Sequence, residues 1–187
     1  MDFLRVIREV CGALDAAGVR YALIGGFAMA LRGVQRATVD LDFILMLDDL
    51  SKADAVLRAA GYRREYHSDN VSHYRSAHAD LGRLDFLHAF RGPSLSMLAR
   101  AERIDVAPGL AVPVVQVADI IGLKVQAAVN DPQRADADWL DIRLLLEAGA
   151  GLGQPPDWTL IGDYLDLFGL GEEIARLEDW YVQAQRR

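Results

Sequence analysis

The sequence predicts an α+β protein in which strands and helices share the first half and helices alone form the second. Three observations lead to this prediction. Short apolar strand patterns alternate with helical patterns up to about residue 115, the apolar period is helical from residue 117 onward, and a Gly- and Pro-rich linker at residues 149–156 interrupts the helical part. We expect two domains, an α/β core of residues 1–115 and a helical part of residues 116–187 packed on it.

The elements of the first half follow from apolar spacing and from glycines. Residues 2–17 show a helical period that Gly18 is placed to end, and residues 20–24 form a short apolar strand before Gly25-Gly26. Further elements are a short helix at 27–31, a largely buried strand at 39–45, a helix at 49–60 and two strands at 71–76 and 83–90. The last two strands are joined by a connection of hairpin length that contains glycine.

The character of the sequence changes after Pro93. A short helix and a strand pair around Pro108-Gly109 precede the helical part of the chain. The predicted helices of this part are residues 117–130, 135–147, 157–168 and 171–185. The fold class is therefore a mixed β-sheet flanked by helices, followed by a helical C-terminal part.

Composition excludes several classes of protein. Of the 187 residues, 52% are hydrophobic, which is enough for a packed core, and the net charge of −7 argues against a protein that coats nucleic acid or an anionic membrane. The single cysteine, Cys11, forms no internal disulfide and no zinc site. No signal peptide and no membrane span are recognisable, so we expect a cytoplasmic protein.

Two acids in one predicted strand are the first candidates for a functional site. Asp40 and Asp42 stand two residues apart, so their carboxylates would project from the same face of the strand at 39–45. Asp85 lies inside another apolar strand, and if the two strands are neighbours, three carboxylates converge. Such a triad can hold two magnesium ions, as in displacement at phosphorus. The alternative for Asp40 and Asp42 alone is a solvated strand end.

Gly25-Gly26 lies where an apolar strand passes into a helix. Glycine permits a positive φ angle and a close approach of the backbone, and a following helix presents free N–H groups to an anion. A triphosphate would fit there, although a pair of glycines is more commonly only a turn.

These segments resemble a known signature. Gly25-Gly26, a gap of thirteen residues and then Asp40-Leu41-Asp42 are similar to the nucleotidyltransferase motif. The fuller string resembles the AbiEii/AbiGii toxin branch of the DNA polymerase β-like nucleotidyltransferase superfamily. The matching positions are Gly25, Gly26, Phe27, Ala28, Gly33, Arg36, Thr38, Asp40, Leu41, Asp42, Asp85, Lys124, Arg134, Asp138 and Asp141. The resemblance spans roughly residues 20–147.

The resemblance implies a minimal nucleotidyltransferase fold and a role for each matching residue. Asp40, Asp42 and Asp85 would be metal ligands and catalytic residues, and Asp85 would accept the proton of the attacking hydroxyl. Nucleotide contacts would come from Gly25, Gly26, Arg36, Thr38 and Lys124, and Lys124 would also offset developing charge. Asp138 and Asp141 would serve helix packing, orient Lys124 or take part in catalysis.

Three functions remain open at this stage. In the first, the protein transfers a nucleoside monophosphate from a nucleoside triphosphate to RNA or tRNA, as the toxin of a toxin–antitoxin pair with a cognate antitoxin as partner. In the second, the acceptor is a small molecule, as in enzymes that modify antibiotics. In the third, the protein is an inactive module that binds nucleotide, an alternative that three intact acids disfavour.

Overall fold

The structure is a computed structural model that describes residues 1–186. Within this range seven strands form one sheet: β1 (Tyr21–Ile24), β2 (Leu41–Met46), β3 (Tyr62–His67), β4 (Val71–Ser76), β5 (Arg83–Ala89), β6 (Glu102–Ala107) and β7 (Leu110–Val114). The α-helices are α1 (Phe3–Val6), α2 (Gly12–Ala16), α3 (Gly25–Leu31), α4 (Leu50–Ala59), α5 (Gly92–Arg100), α6 (Val117–Asn130), α7 (Ala135–Gly151), α8 (Trp158–Leu167) and α9 (Ile174–Gln185). A π-helical turn, Ile7–Cys11, joins α1 to α2.

The sheet is mixed, with strand order β3-β4-β5-β2-β1-β7-β6. Two pairs, β2 with β5 and β1 with β7, are parallel. The other neighbouring pairs are antiparallel. The predicted α+β class with a mixed sheet is therefore confirmed, and β2 is the central strand.

Three local predictions differ from the structure. The edge strand β3 went unpredicted because its sequence is mostly polar and most of its residues are exposed, so it carries no apolar alternation. Helix α7 ends at Gly151, inside the predicted linker, so Gly149 and Gly151 belong to the helix and do not interrupt it. Asp40 lies in a bend just before β2 and not within the strand.

Aromatic rings pack against one another on one face of the central strands. Phe43 on β2 stacks on Phe86 on β5, with ring centroids 5.0 Å apart and ring planes 15° apart. Tyr74 and Tyr21 extend this row with edge contacts to Phe86 and Phe43. All four side chains are buried. Since neighbouring residues of a strand point to opposite faces, Asp42 and Asp85 are left on the other face of the sheet.

Asp49 ties the beginning of β1 to the beginning of α4. Its side chain is 5% exposed, and its Oδ2 accepts hydrogen bonds from the Arg20 backbone N–H at 3.1 Å and from Arg20 Nε at 2.6 Å. These bonds, chiefly the one from the Arg20 side chain, hold the pKa of Asp49 at about 2 against the opposing effect of burial. The buried carboxylate is therefore satisfied as an anion.

The chain folds into two compact units. The first comprises residues 1–28 and 36–115, and the second comprises residues 29–35 and 116–187. The sheet, with α1, α2, α4 and α5, belongs to the first unit, whereas α6 to α9 belong to the second. The predicted domain division at residues 115 and 116 stays a prediction. Among residues 1–186, no helix has both the length and the apolar character that crossing a membrane requires.

We expect Asp49→Asn to lower the free energy of unfolding by about 2 kcal/mol at pH 7, because it removes charge-assisted hydrogen bonds at a buried position. The native pKa is depressed from 3.8 to about 2, so the contribution is present above pH 3.8 and is lost as the pH falls through 2. Urea denaturation should therefore show a smaller difference from wild type at pH 3 than at pH 7. The exposed neighbour Asp48→Asn is the control, and equal midpoints for Asp49→Asn and wild type at pH 7 would contradict this role.

Candidate active site

The backbone of the turn from β1 into α3 lies close to the side chains of Asp42 and Thr38. Gly25 has a φ angle of +64°, and a Cβ atom there would lie 2.7 Å from Cγ of Asp42. A Cβ atom on Gly26 would lie 3.1 Å from Oγ1 of Thr38. The backbone at Gly25 therefore lies directly against Asp42, which together with the positive φ angle requires glycine, whereas a side chain at Gly26 would be in tight contact with Thr38.

Strand register brings two of the predicted acids together. Asp42 pairs with Ile24 at the end of β1 on one side and with Asp85 on β5 on the other side. Asp40, in the bend before β2, completes the group: one carboxylate oxygen from each of the three acids lies within 4.8 Å of the other two. All three side chains are partly exposed. The structure thus brings together Asp40, Asp42 and Asp85, although Asp40 does so from outside the strand.

This donor set suits a hard divalent cation. Three carboxylates within 4.8 Å repel one another in the absence of a cation, and carboxylate oxygens are the ligands that Mg²⁺ prefers. Partial exposure leaves coordination positions for water or substrate. The three acids therefore fit magnesium, and their role as ligands stays a prediction.

Asp85 is held by two donors that the sequence did not reveal as part of the site. Its Oδ1 accepts a hydrogen bond from Arg83 Nε at 2.8 Å and lies 2.7 Å from His73 Nδ1. The hydrogen bond to Asp85 raises the pKa of Arg83, and the charges of Asp40 and Asp42 add to this effect. Arg83 therefore lies in the field of all three acids. Its place two residues before Asp85 on the same strand was the sequence signal for it.

The loop before β2 carries two predicted nucleotide contacts. Thr38 donates a hydrogen bond from Oγ1 to the backbone oxygen of Asp40 at 3.1 Å, and the same hydroxyl lies near the Gly26 turn. Thr38 therefore supports the bend that holds Asp40. Arg36 is exposed on the same loop. Direct contact of Arg36 and Thr38 with nucleotide stays a prediction.

Lys124 lies on α6 in the second unit, where two buried acids of α7 bind it. Its Nζ is 2.8 Å from Asp138 Oδ1 and 2.6 Å from Asp141 Oδ2, and the lysine side chain is 14% exposed. The geometry favours the expectation that Asp138 and Asp141 orient Lys124. An ammonium has three N–H donors, so one remains for another acceptor. Contact of Lys124 with phosphate stays a prediction.

Solved structures with the same fold include proteins that modify antibiotics. A solution structure of the antibiotic-resistance factor ANT(2'')-Ia is 20% identical, with a TM-score of 0.65, and the match covers 98% of this chain and 100% of that one. A crystal structure of ANT(2'')-Ia in complex with adenylyl-2''-tobramycin is 17% identical, with a TM-score of 0.62 and 98% coverage of both chains. The lincosamide antibiotic adenylyltransferase LnuA, with lincomycin bound, is 16% identical, with a TM-score of 0.53, 75% coverage of this chain and 94% of that one.

These comparisons define the class of fold. No protein-family model and no curated protein matches the sequence. At identities of 16–20% the structural likeness shows the fold alone. The chain has the nucleotidyltransferase fold, as the motifs indicated, and membership of the AbiEii/AbiGii branch stays a prediction.

We expect Gly25→Ala to weaken Mn²⁺ binding by about 10-fold or more, which is the usual loss of affinity when a group that supports a metal ligand is changed. The added methyl group would displace the Asp42 carboxylate in addition to straining the backbone. Gly18→Ala is a matched control, because Gly18 has the same φ angle of +64° but a Cβ atom there meets nothing within 4 Å. Titration of Mn²⁺ followed by electron paramagnetic resonance measures the affinity. Equal affinities of the two variants would mean that the closeness of Gly25 to Asp42 does not matter.

We expect Lys124→Met to lower the free energy of unfolding by about 3–5 kcal/mol, because it removes the cation that two buried carboxylates both contact. Adding Asp138→Asn and Asp141→Asn to Lys124→Met should recover at least half of this loss, since the uncompensated charges are then gone. Urea denaturation of the single and triple variants measures both effects. A single variant as stable as wild type would show that the ion pairs do not support the helical unit.

Proposed function

We propose that the protein is a magnesium-dependent nucleotidyltransferase that transfers a nucleoside monophosphate from a nucleoside triphosphate to an acceptor hydroxyl. The observation that carries this proposal is the convergence of Asp40, Asp42 and Asp85 beside the Gly25 turn, at the centre of a sheet with the nucleotidyltransferase fold. In the reaction the hydroxyl oxygen bonds to the α-phosphorus, the bond from that phosphorus to the pyrophosphate oxygen breaks, and pyrophosphate leaves.

Each part of the site has a task in this reaction. Asp40, Asp42 and Asp85 would hold two magnesium ions, which supply charge neutralisation and orientation to the triphosphate when bound. Gly25 and Gly26 let the β- and γ-phosphates approach the backbone. Oδ1 of Asp85 is occupied by its two donors, so Oδ2 is the oxygen left for the metal ion, and its second lone pair would accept the proton of the acceptor hydroxyl.

A small molecule with a hydroxyl group is the acceptor that we favour. ANT(2'')-Ia, an antibiotic-resistance factor, matches this chain over nearly the whole length of both proteins, and LnuA is an adenylyltransferase of lincosamide antibiotics. The net charge of −7 supports an acceptor that carries positive charge, since a negative surface attracts cations and repels a polyanion.

RNA is the second candidate acceptor. The glycine and acid motifs resemble those of the AbiEii/AbiGii toxins, and this resemblance supports an RNA acceptor. The alternative function is then tRNA modification within a toxin–antitoxin pair. A basic patch facing the acceptor would have to overcome the negative total charge. An inactive nucleotide-binding module is disfavoured because such a domain has no need to keep three clustered acids.

The test is incubation of the protein with Mg²⁺, an acceptor and each α-labelled nucleoside triphosphate in turn. One set of acceptors consists of aminoglycosides and lincosamides, and the other is total RNA. We expect label on a cationic small molecule. Asp42→Asn should reduce the transfer roughly 100-fold or more, the order of losing one electrostatic stabiliser of the transition state. Asp48→Asn, which removes an exposed acid just after β2, should transfer as wild type does.

Label on RNA, lost in Asp42→Asn, would replace the small-molecule acceptor by RNA within the same chemistry. Equal transfer by Asp42→Asn and wild type would exclude the acids from the reaction. If triphosphate binding and thermal stability are both insensitive to Mg²⁺, the nucleotidyltransferase proposal itself is wrong.

A further inference from the structure

A row of four side chains crosses the sheet from the acid cluster to the sheet edge. Asp42 on β2 pairs with Asp85 on β5, Asp85 pairs with His73 on β4, and His73 pairs with Tyr66 on β3. Residues directly opposite one another on neighbouring strands point to the same face. The predicted metal ligands are therefore continuous with an imidazole and a phenol ring.

His73 contacts both of its neighbours in this row. Its Nδ1 lies 2.7 Å from Asp85 Oδ1, and its ring stacks on that of Tyr66 with centroids 5.3 Å apart and planes 25° apart. An ionised carboxylate can only accept hydrogen bonds, so Nδ1 carries the proton and donates it. Arg83 donates to the same oxygen. Among the described residues, Oδ2 of Asp85 accepts no hydrogen bond and so keeps its lone pairs for another partner.

A β-bulge accounts for the presence of Tyr66 in the row. Along β3 and β4 the register shifts between Arg64, which pairs with Tyr74, and Tyr66, which pairs with His73. Without the extra residue, Glu65 would stand opposite His73, and its carboxylate would compete with Asp85 for the imidazole N–H. Glu65 instead accepts a hydrogen bond from Arg75 at 3.0 Å. The bulge thus puts an uncharged ring against His73, as bulges beside active sites re-aim side chains.

We propose that His73 is a positioning residue of the metal centre. By donating a hydrogen bond from Nδ1 to Oδ1, His73 fixes the Asp85 carboxylate so that Oδ2 is presented to the divalent ion. Tyr66 in turn fixes the imidazole ring. This inference rests on the proposed function, because it assumes that Asp85 binds the metal. Hydrogen bonds to a ligating group orient it and tune its affinity.

Two variants of His73 separate its hydrogen bond from its ring. His73→Phe keeps a ring that stacks on Tyr66 but has no donor, whereas His73→Asn keeps an N–H near the position of Nδ1 but has no aromatic ring. We expect Mn²⁺ affinity, measured by electron paramagnetic resonance without nucleotide, to fall about 10- to 100-fold in His73→Phe, the usual range for loss of such a partner. His73→Asn should stay within about 3-fold of wild type, since the donor is what supports the ligand.

His78→Phe is the control, because His78 is exposed in the connection between β4 and β5, and it should bind Mn²⁺ as wild type does. His73→Leu is a second variant without a donor, to be used if His73→Phe does not fold, and it should show the same loss. In the transfer reaction, His73→Phe should lower kcat and raise the Mg²⁺ concentration at half-maximal rate, with the KM for the acceptor unchanged.

Wild-type affinity in His73→Phe would overturn the inference while leaving the metal site intact. An equal loss in His73→Asn and His73→Phe would also overturn it, because the ring and not the donor would then matter. If wild type itself binds no Mn²⁺, the proposed function fails, and this result is distinct from the other two.

Discussion

The parallel pairing of β2 with β5 is the constraint on which the rest of the site depends. The stack of Phe43 on Phe86 is buried on one face of these strands, and every second residue faces the opposite way. Slipping one of the two strands by one residue would turn its phenyl ring to the acid face and its acid to the core face. The hydrophobic core thus holds two like charges next to each other, which electrostatics alone would oppose.

Several neighbouring groups hold the acids in place despite this repulsion. Gly25 lets the turn after β1 approach Asp42, Thr38 holds the backbone at Asp40, and Arg83 with His73 satisfies one oxygen of Asp85. The guanidinium of Arg83 carries a single positive charge, so by itself it offsets only part of the charge of three carboxylates. The remaining negative charge would give the cluster an affinity for divalent ions, and bound ions would in turn attract a triphosphate.

The sequence predicted those parts of the molecule that depend on local pattern. Apolar spacing gave β1, β4, β5 and the helices, and the short motif around Asp40 and Asp42 pointed to the nucleotidyltransferase fold. Edge strand β3 was not predicted, because its residues are mostly exposed and polar and are ordered by pairing with β4. The contact of His73 with Asp85 was not predicted for a related reason. It depends on which strands are neighbours, and the position of Tyr66 depends on a bulge that leaves no pattern in the sequence.

The central claim is that Asp40, Asp42 and Asp85 together bind divalent metal ions beside the triphosphate. Anomalous diffraction from crystals grown with Mn²⁺ and a nonhydrolysable nucleoside triphosphate tests it most directly. We predict two manganese peaks about 3.5–4 Å apart at the oxygens of these three acids, with Asp85 bound to one of the ions. A triphosphate bound at the Gly25 turn with no manganese on the acids, or manganese bound only elsewhere, would contradict it.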